Sequence, residues 1–174
     1  DPKMRARAFW VLVATLFLSS ISINGAITHL SAILTDRGLS TGEAALALSV
    51  LGAMSLFGRL ITGHLLDRFF GPWISFGLLA GASAGIALLA WTATPVGGLA
   101  SAALIGLGLG GEADVTPYLL TRYFGLRALS TLYGFTWTAY AIAGAVGPIM
   151  MGRVFDVTGS YTTLLMVLAG QTLV

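Results

Sequence analysis

The chain has 174 residues, of which 56% are apolar and 9% charged, and nine basic against seven acidic side chains leave a formal charge of +2. A soluble domain would carry roughly a quarter charged residues; here the few charges sit in short clusters between long apolar runs, which excludes a soluble globular protein and predicts an integral membrane one. The absence of cysteine excludes disulfides, thiolate metal sites and cysteine nucleophiles.

Six apolar segments follow one another, at about 9–34, 41–66, 73–92, 97–121, 128–151 and 161–174. They predict an all-α integral membrane protein, with residues 1–174 forming a single six-transmembrane-helix bundle. The first five segments each reach the roughly 20 residues that a hydrocarbon core requires, and the sixth stops after about 14. The sequence opens "DPKMRARAFW" without an initiator methionine, and its basic residues lead into a span too long for a cleavable signal. The chain is therefore expected to be a segment cut at both ends.

In the first segment Ser20, Asn24, Thr28 and Ser31 recur at helical spacing and share one face, which either lines a cavity or bonds to neighbouring helices. His29 lies near the far end of that segment, where it contacts a solute, senses pH or bonds a backbone carbonyl. The following turn, "TDRGLSTGE", contains Gly38 and then Ser40 with Glu43 three residues on, a capping box that opens the second helix.

Arg59 interrupts the second segment, and "GHLLDRFFG" ends it with Asp67 and Arg68. Eight positions before Asp67, Arg59 lies about 12 Å deeper in a helix rising about 1.5 Å per residue. It either snorkels back to the headgroups or faces a water-filled cavity, where its planar guanidinium grips a carboxylate through two parallel hydrogen bonds.

The third segment contains "GASAG", which satisfies the Gly-x-Ser-x-Gly nucleophile pattern at Ser83. An intramembrane serine hydrolase would need a base beside Ser83, and the two histidines, His29 and His64, fall near opposite faces of the membrane. No enzyme is expected, and no metal site or cofactor.

Pro95, Gly97 and Gly98 turn the chain into the fourth segment, whose "GLGLGGE" run suits close helix approach and whose end gathers Glu112, Asp114, Arg122 and Arg127. With Asp67 and Arg68 these charges form either a static ring that fixes topology or a latch that opens and closes with conformation. Glu112, two-thirds of the way along its helix, is also a candidate for carrying a coupled proton. The fifth segment offers Tyr133, Trp137 and Tyr140 as packing residues or as an aromatic wall for a small organic anion, and Gly147-Pro148 permits a bend.

Basic residues cluster at the amino terminus and in the second and fourth turns, so these are expected to face the cytoplasm of a cell (inner) membrane. "GHLLDRFFG" and "GRVFDVTG" share Gly-x-x-x-Asp at an offset of about 89 residues. A unit of three helices reverses its orientation when repeated, so the pattern predicts two inverted three-helix repeats.

These residues carry a resemblance. "GHLLDRFFG" is similar to the loop signature of the major facilitator superfamily, and residues 122–161 resemble the carboxy-terminal half of its monocarboxylate and oxalate/formate exchanger branch. The resemblance implies half of a transporter that works by alternating access, the amino-terminal six-helix half being its partner and a proton or counter-anion the coupled ion. It implies Arg59 as a carboxylate ligand, and the residues' own placement adds Asn24, His29, Trp137 and Tyr140 as candidate substrate contacts. It also implies Asp67, Arg68, Glu112, Asp114 and Arg122 as a conformational gate. The dicarboxylate members of that branch have a second basic residue where "LSTLYGFTWTAYAIAGAVGP" has none, so one cation predicts one carboxylate. The alternatives are a non-carboxylate solute or a non-transporting receptor or assembly module. The lipid bilayer is the expected surrounding and no nucleic acid the partner.

Overall fold

Proline at the start of a helix gives up an N–H that has no partner there anyway, and lysine, arginine and alanine all favour the helical backbone. For both reasons the first helix begins at Pro2, one to two turns before the apolar stretch that was expected to open it at residue 9. The computed structural model describes residues 2–173, which form six helices: α1 (Pro2–Asp36), α2 (Thr41–Leu66), α3 (Gly71–Trp91), α4 (Pro95–Phe124), α5 (Leu126–Thr158) and α6 (Thr162–Thr172). The first five are long and apolar enough to cross a membrane.

Local chemistry sets the breaks. Ser40 and Glu43 build the capping box at the start of α2, the Glu43 carboxylate accepting from the Ser40 N–H at 2.8 Å. The Thr94 hydroxyl caps α4 by accepting from Gly97 N–H. Between α4 and α5 the expected six-residue turn shrinks to Gly125 alone, whose φ of +78° reverses the chain in one residue. Arg122 and Arg127 therefore lie on helices. α5 runs on past the expected residue 151 because Val154 and Phe155 pack on the core, and it ends at Gly159 in the left-handed conformation.

The buried core is built mainly from α1, α3, α4 and α6, through residues such as Ile23, Leu30, Ile86, Leu89, Ile105, Leu165 and Leu168. The chief contacts between the two three-helix units are α1 with α5, α2 with α4 and α3 with α4. Under an inverted repeat that exchanges α1 with α4 and α2 with α5, the α1–α5 and α2–α4 contacts are the same contact. Trp73 and Trp91, both largely exposed, stand at the two ends of α3 about 27 Å apart along the axis. That spacing matches the hydrocarbon thickness, and indole rings favour its two interfaces.

Arg37 closes one end of the bundle. Its guanidinium donates to the carbonyls of Leu89, Ala90 and Thr92 at the end of α3 and to the Thr162 hydroxyl at the start of α6. Helix ends leave carbonyls unpaired, and a cation there also opposes the helix dipole. Partial burial pulls the Arg37 pKa below its ordinary value. Arg37→Ala is expected to destabilise the protein by about 2 kcal/mol, from charge-assisted bonds lost and carbonyls left bare. Arg37→Lys should recover only part of that, since a single ammonium cannot fork across three carbonyls. Thermal unfolding in detergent reads both.

Candidate functional site

Two helix crossings bring backbone against backbone. On the α2–α4 side, a Cβ at Gly58 would stand 2.6 Å from the Leu107 carbonyl oxygen, and Cβ atoms at Gly106 and Gly110 would collide with the carbonyls of Leu51 and Ser55. On the α1–α5 side, Gly147 meets the Ile21 carbonyl and Gly25. Larger side chains between these crossings keep the four helices apart and leave a cavity of about 260 Å³. Its walls are Leu16 from α1, Ser55 and Arg59 from α2, Leu109, Glu112, Ala113 and Thr116 from α4, and Thr136, Trp137 and Tyr140 from α5.

Arg59 is oriented from behind. Its Nε lies 3.7 Å from Asp114 Oδ1, both side chains being partly exposed. Its two terminal nitrogens make no hydrogen bond to the described residues, and together they can receive a carboxylate end-on through two parallel bonds. Glu112 is buried: the Ser19 hydroxyl donates to its Oε1, while Oε2 has no partner among the described residues.

Tyr140 is held by α1. Asn24 Nδ2 donates to the Tyr140 hydroxyl at 3.4 Å, and the Ser20 hydroxyl donates to the Tyr140 carbonyl at 2.8 Å. The Asn24 amide also donates to the Ser20 carbonyl at 3.0 Å. Part of the polar stripe on α1 thus bonds the neighbouring helix, and Asn24 reaches the cavity only through Tyr140, whose own O–H remains available to donate. Trp137 packs edge-on against Tyr140 at 5.2 Å and Tyr133 against Trp137 at 6.0 Å, an aromatic ladder along α5.

Of the substrate residues expected from sequence, Arg59, Trp137 and Tyr140 line one cavity and Asn24 supports it. His29 does not. Its Nδ1 lies 3.3 Å from the Gly25 carbonyl, and its ring lies 5.5 Å from Tyr161, which stacks on Phe155.

The five expected gate residues are not gathered. Asp67 and Arg68 are exposed in the α2–α3 turn without an ion pair among the described residues, Arg122 is exposed and donates to the Tyr118 hydroxyl, Asp114 pairs with Arg59, and Glu112 bonds Ser19. The reason is depth, since Asp114 and Arg122 on one helix are about 12 Å apart along its axis. At the amino-terminal end of α1, aromatic rings converge instead: Phe9 lies 5.9 Å from Phe124 and 5.8 Å from Phe135, and Trp10 lies 5.8 Å from Phe135. Aromatic residues near three helix ends were the sequence signal for this cluster.

The Ser83 hydroxyl donates to the Ala169 carbonyl at 2.7 Å and is buried in the α3–α6 contact. It ties two helices together and faces no histidine.

The model of the Major Facilitator Superfamily matches residues 3–148. The chain belongs to the Major Facilitator Superfamily. Among its relatives are monocarboxylate transporter 11 of Homo sapiens, 29% identical over 143 residues, 77% of this chain and 30% of that protein. The probable transporter MCH1 of Saccharomyces cerevisiae is 30% identical over 161 residues, 84% of this chain and 32% of that protein. The uncharacterized MFS-type transporter YhjX of Escherichia coli is 28% identical over 143 residues, 80% of this chain and 35% of that protein. The chain spans about a third of the length of these curated relatives. As a superfamily member it is an integral membrane protein, with the bilayer around its helices.

Proposed function

We propose that this chain is the carboxy-terminal half of a secondary transporter that carries a small monocarboxylate by alternating access. The observation that supports this best is a single arginine, Arg59, held from behind by Asp114 with its terminal nitrogens free on a cavity of about 260 Å³. Pockets for drug-sized ligands run from roughly 300 Å³ upward, so this volume suits a smaller solute. One cation neutralises one carboxylate, while Leu16, Leu109 and Trp137 offer apolar surface to a short hydrocarbon part. Monocarboxylate transporters among the relatives support the same class.

The partner is the amino-terminal six-helix half of the same transporter. α2 and α5 are the least covered of the long helices and carry large exposed apolar side chains, including Leu56, Phe57, Leu60, Phe135 and Ile149, which a second half would cover. The basic turns orient the amino terminus of the segment toward the cytoplasm of the cell membrane. Conformational switching exposes the cavity to one side and then the other, and the Arg59–Asp114 pair keeps the guanidinium in place for an arriving carboxylate.

The test is exchange of labelled formate, lactate, pyruvate and oxalate by the complete transporter in proteoliposomes. Exchange of one or more of the three monocarboxylates, with oxalate moved poorly, is the expected result. Oxalate moved as well as the others would remove the argument from a single cation, and movement of none of the acids would defeat the carboxylate reading.

A further inference from the structure

Hydroxyl groups on the cavity wall come from Ser55, Thr116, Thr136 and Tyr140. Two of them spend their protons on their own helices: the Thr116 hydroxyl donates to the Glu112 carbonyl at 3.1 Å and the Thr136 hydroxyl to the Tyr133 carbonyl at 2.8 Å. Tyr140 differs, because its hydroxyl meets the Asn24 amide across the α1–α5 crossing, with Asn24 Nδ2 at 3.4 Å. Where the phenolic proton goes therefore depends on which end of that amide faces Tyr140.

Carbonyls fix that end. The Tyr140 backbone carbonyl can only accept, so its 2.8 Å contact takes the proton of the Ser20 hydroxyl. Ser20 Oγ is left with lone pairs, and the Ser20 carbonyl offers nothing else; they lie 3.2 and 3.0 Å from the Asn24 amide. Two acceptors on one side require the amide nitrogen there, since its oxygen would meet them with no proton between and Ser20 is fully buried. Gly144, one turn beyond Tyr140, closes the same spot: a Cβ there would stand 3.5 Å from both Asn24 Nδ2 and Ser20 Oγ. The nitrogen that faces Ser20 thus also donates to the Tyr140 oxygen, and the phenolic proton, with no acceptor among the described residues, is left for the cavity.

We propose that Ser20 and Asn24 are positioning residues that set Tyr140 as a second donor to the solute, so that the site selects monocarboxylates bearing an acceptor oxygen beside the carboxylate. The carboxylate lies on Arg59 and the neighbouring oxygen receives the Tyr140 O–H. An acid with a purely hydrocarbon chain leaves that donor unpaired, and a site built to hydrogen-bond a group rejects the analogue that lacks it. The second donor acts only where Arg59 receives the carboxylate, so it rests on the transport reading; the direction of the Ser20–Asn24–Tyr140 relay does not.

The experiment is calorimetric titration of the complete transporter in detergent with pyruvate and with propionate, which share a carbon skeleton and a carboxylate and differ in the 2-oxo oxygen. Wild type is expected to prefer pyruvate by about tenfold, and Tyr140→Phe to lower that preference about fivefold. Asn24→Leu keeps the bulk but cannot donate, so the phenol turns freely and the preference should fall about threefold. With Tyr140→Phe already present, Asn24→Leu should lower it no further, because Asn24 acts through the phenolic hydroxyl. The ratio cancels losses common to both acids, and Asn24→Ala repeats the test without an apolar side chain beside Ser20. No preference in wild type, a preference that survives Tyr140→Phe, or one lowered equally by the Asn24 variants with and without the phenolic hydroxyl overturns the proposal and leaves the carboxylate reading intact. Wild type that binds neither acid would defeat the carboxylate reading and the proposal with it.

Discussion

Arg59→Gln is expected to reduce monocarboxylate exchange by about a hundredfold or more in protein that still folds, since two charge-assisted hydrogen bonds of roughly 1.5–3 kcal/mol each are lost at once. Arg59 stands about 12 Å inside α2 from Asp67, on the wall of the cavity and partly exposed there. Glutamine keeps much of the length and loses the charge, so it separates recognition from packing. Arg59→Lys keeps the charge but has no planar fork, and its ammonium has no Nε to leave with Asp114 while the other donors turn outward. It is expected to retain a few per cent of exchange at most, mainly through a raised KM. Counterflow of labelled acid over a range of concentrations measures both variants. Wild-type rates in either would make Arg59 a snorkelling anchor and leave the carboxylate assignment without its main support.

Gly110→Ala is expected to be the most damaging single methyl in the protein. A Cβ at that position falls on the Ser55 carbonyl, and neither partner is a flexible side chain that can move aside. α2 must separate from α4, and overpacking of this kind costs about 1–3 kcal/mol. Arg59 lies one turn beyond Ser55 and Asp114 one turn beyond Gly110, so the same displacement spreads their pair and should lower exchange along with stability. Gly77→Ala in α3, where nothing lies within 4 Å of the added carbon, provides the contrast and should leave stability unchanged or raise it by up to about 1 kcal/mol. Melting temperatures in detergent together with exchange rates test both. Equal effects at the two positions would mean that helix propensity, and not the α2–α4 contact, governs glycine in this fold.

Glycine shows how far local reading reaches. "GLGLGGE" announces a helix that packs closely, but not that Gly106 and Gly110 face α2 while Gly108 faces Ala82 of α3. Arg59 could be singled out because an arginine in an apolar run has few reasons to be there. Its pairing with Asp114 was not legible, because the two lie on different helices and the pair depends on how α2 crosses α4. The charges of the expected gate show a related limit, since they lie near one another in sequence yet stand at different depths along their helices in this conformation. Asn24 was legible as part of a polar stripe that either lines a cavity or bonds a neighbouring helix, and its bond to Tyr140 belongs to the α1–α5 crossing.

By itself the sequence determined that the chain is helical and membrane-embedded, where most of its helices lie, the capping box that opens α2, and Arg59 as the charge requiring explanation. These follow from hydropathy, propensity and spacing along one chain, which bilayer thickness and backbone hydrogen bonding convert directly into helices. The tertiary structure alone decided that four helices enclose the cavity, that Asp114 stands behind Arg59, that His29 lies elsewhere, and that Ser20 and Asn24 of α1 hold Tyr140 of α5. Those are contacts between residues distant in sequence, fixed by where glycine lets two backbones meet.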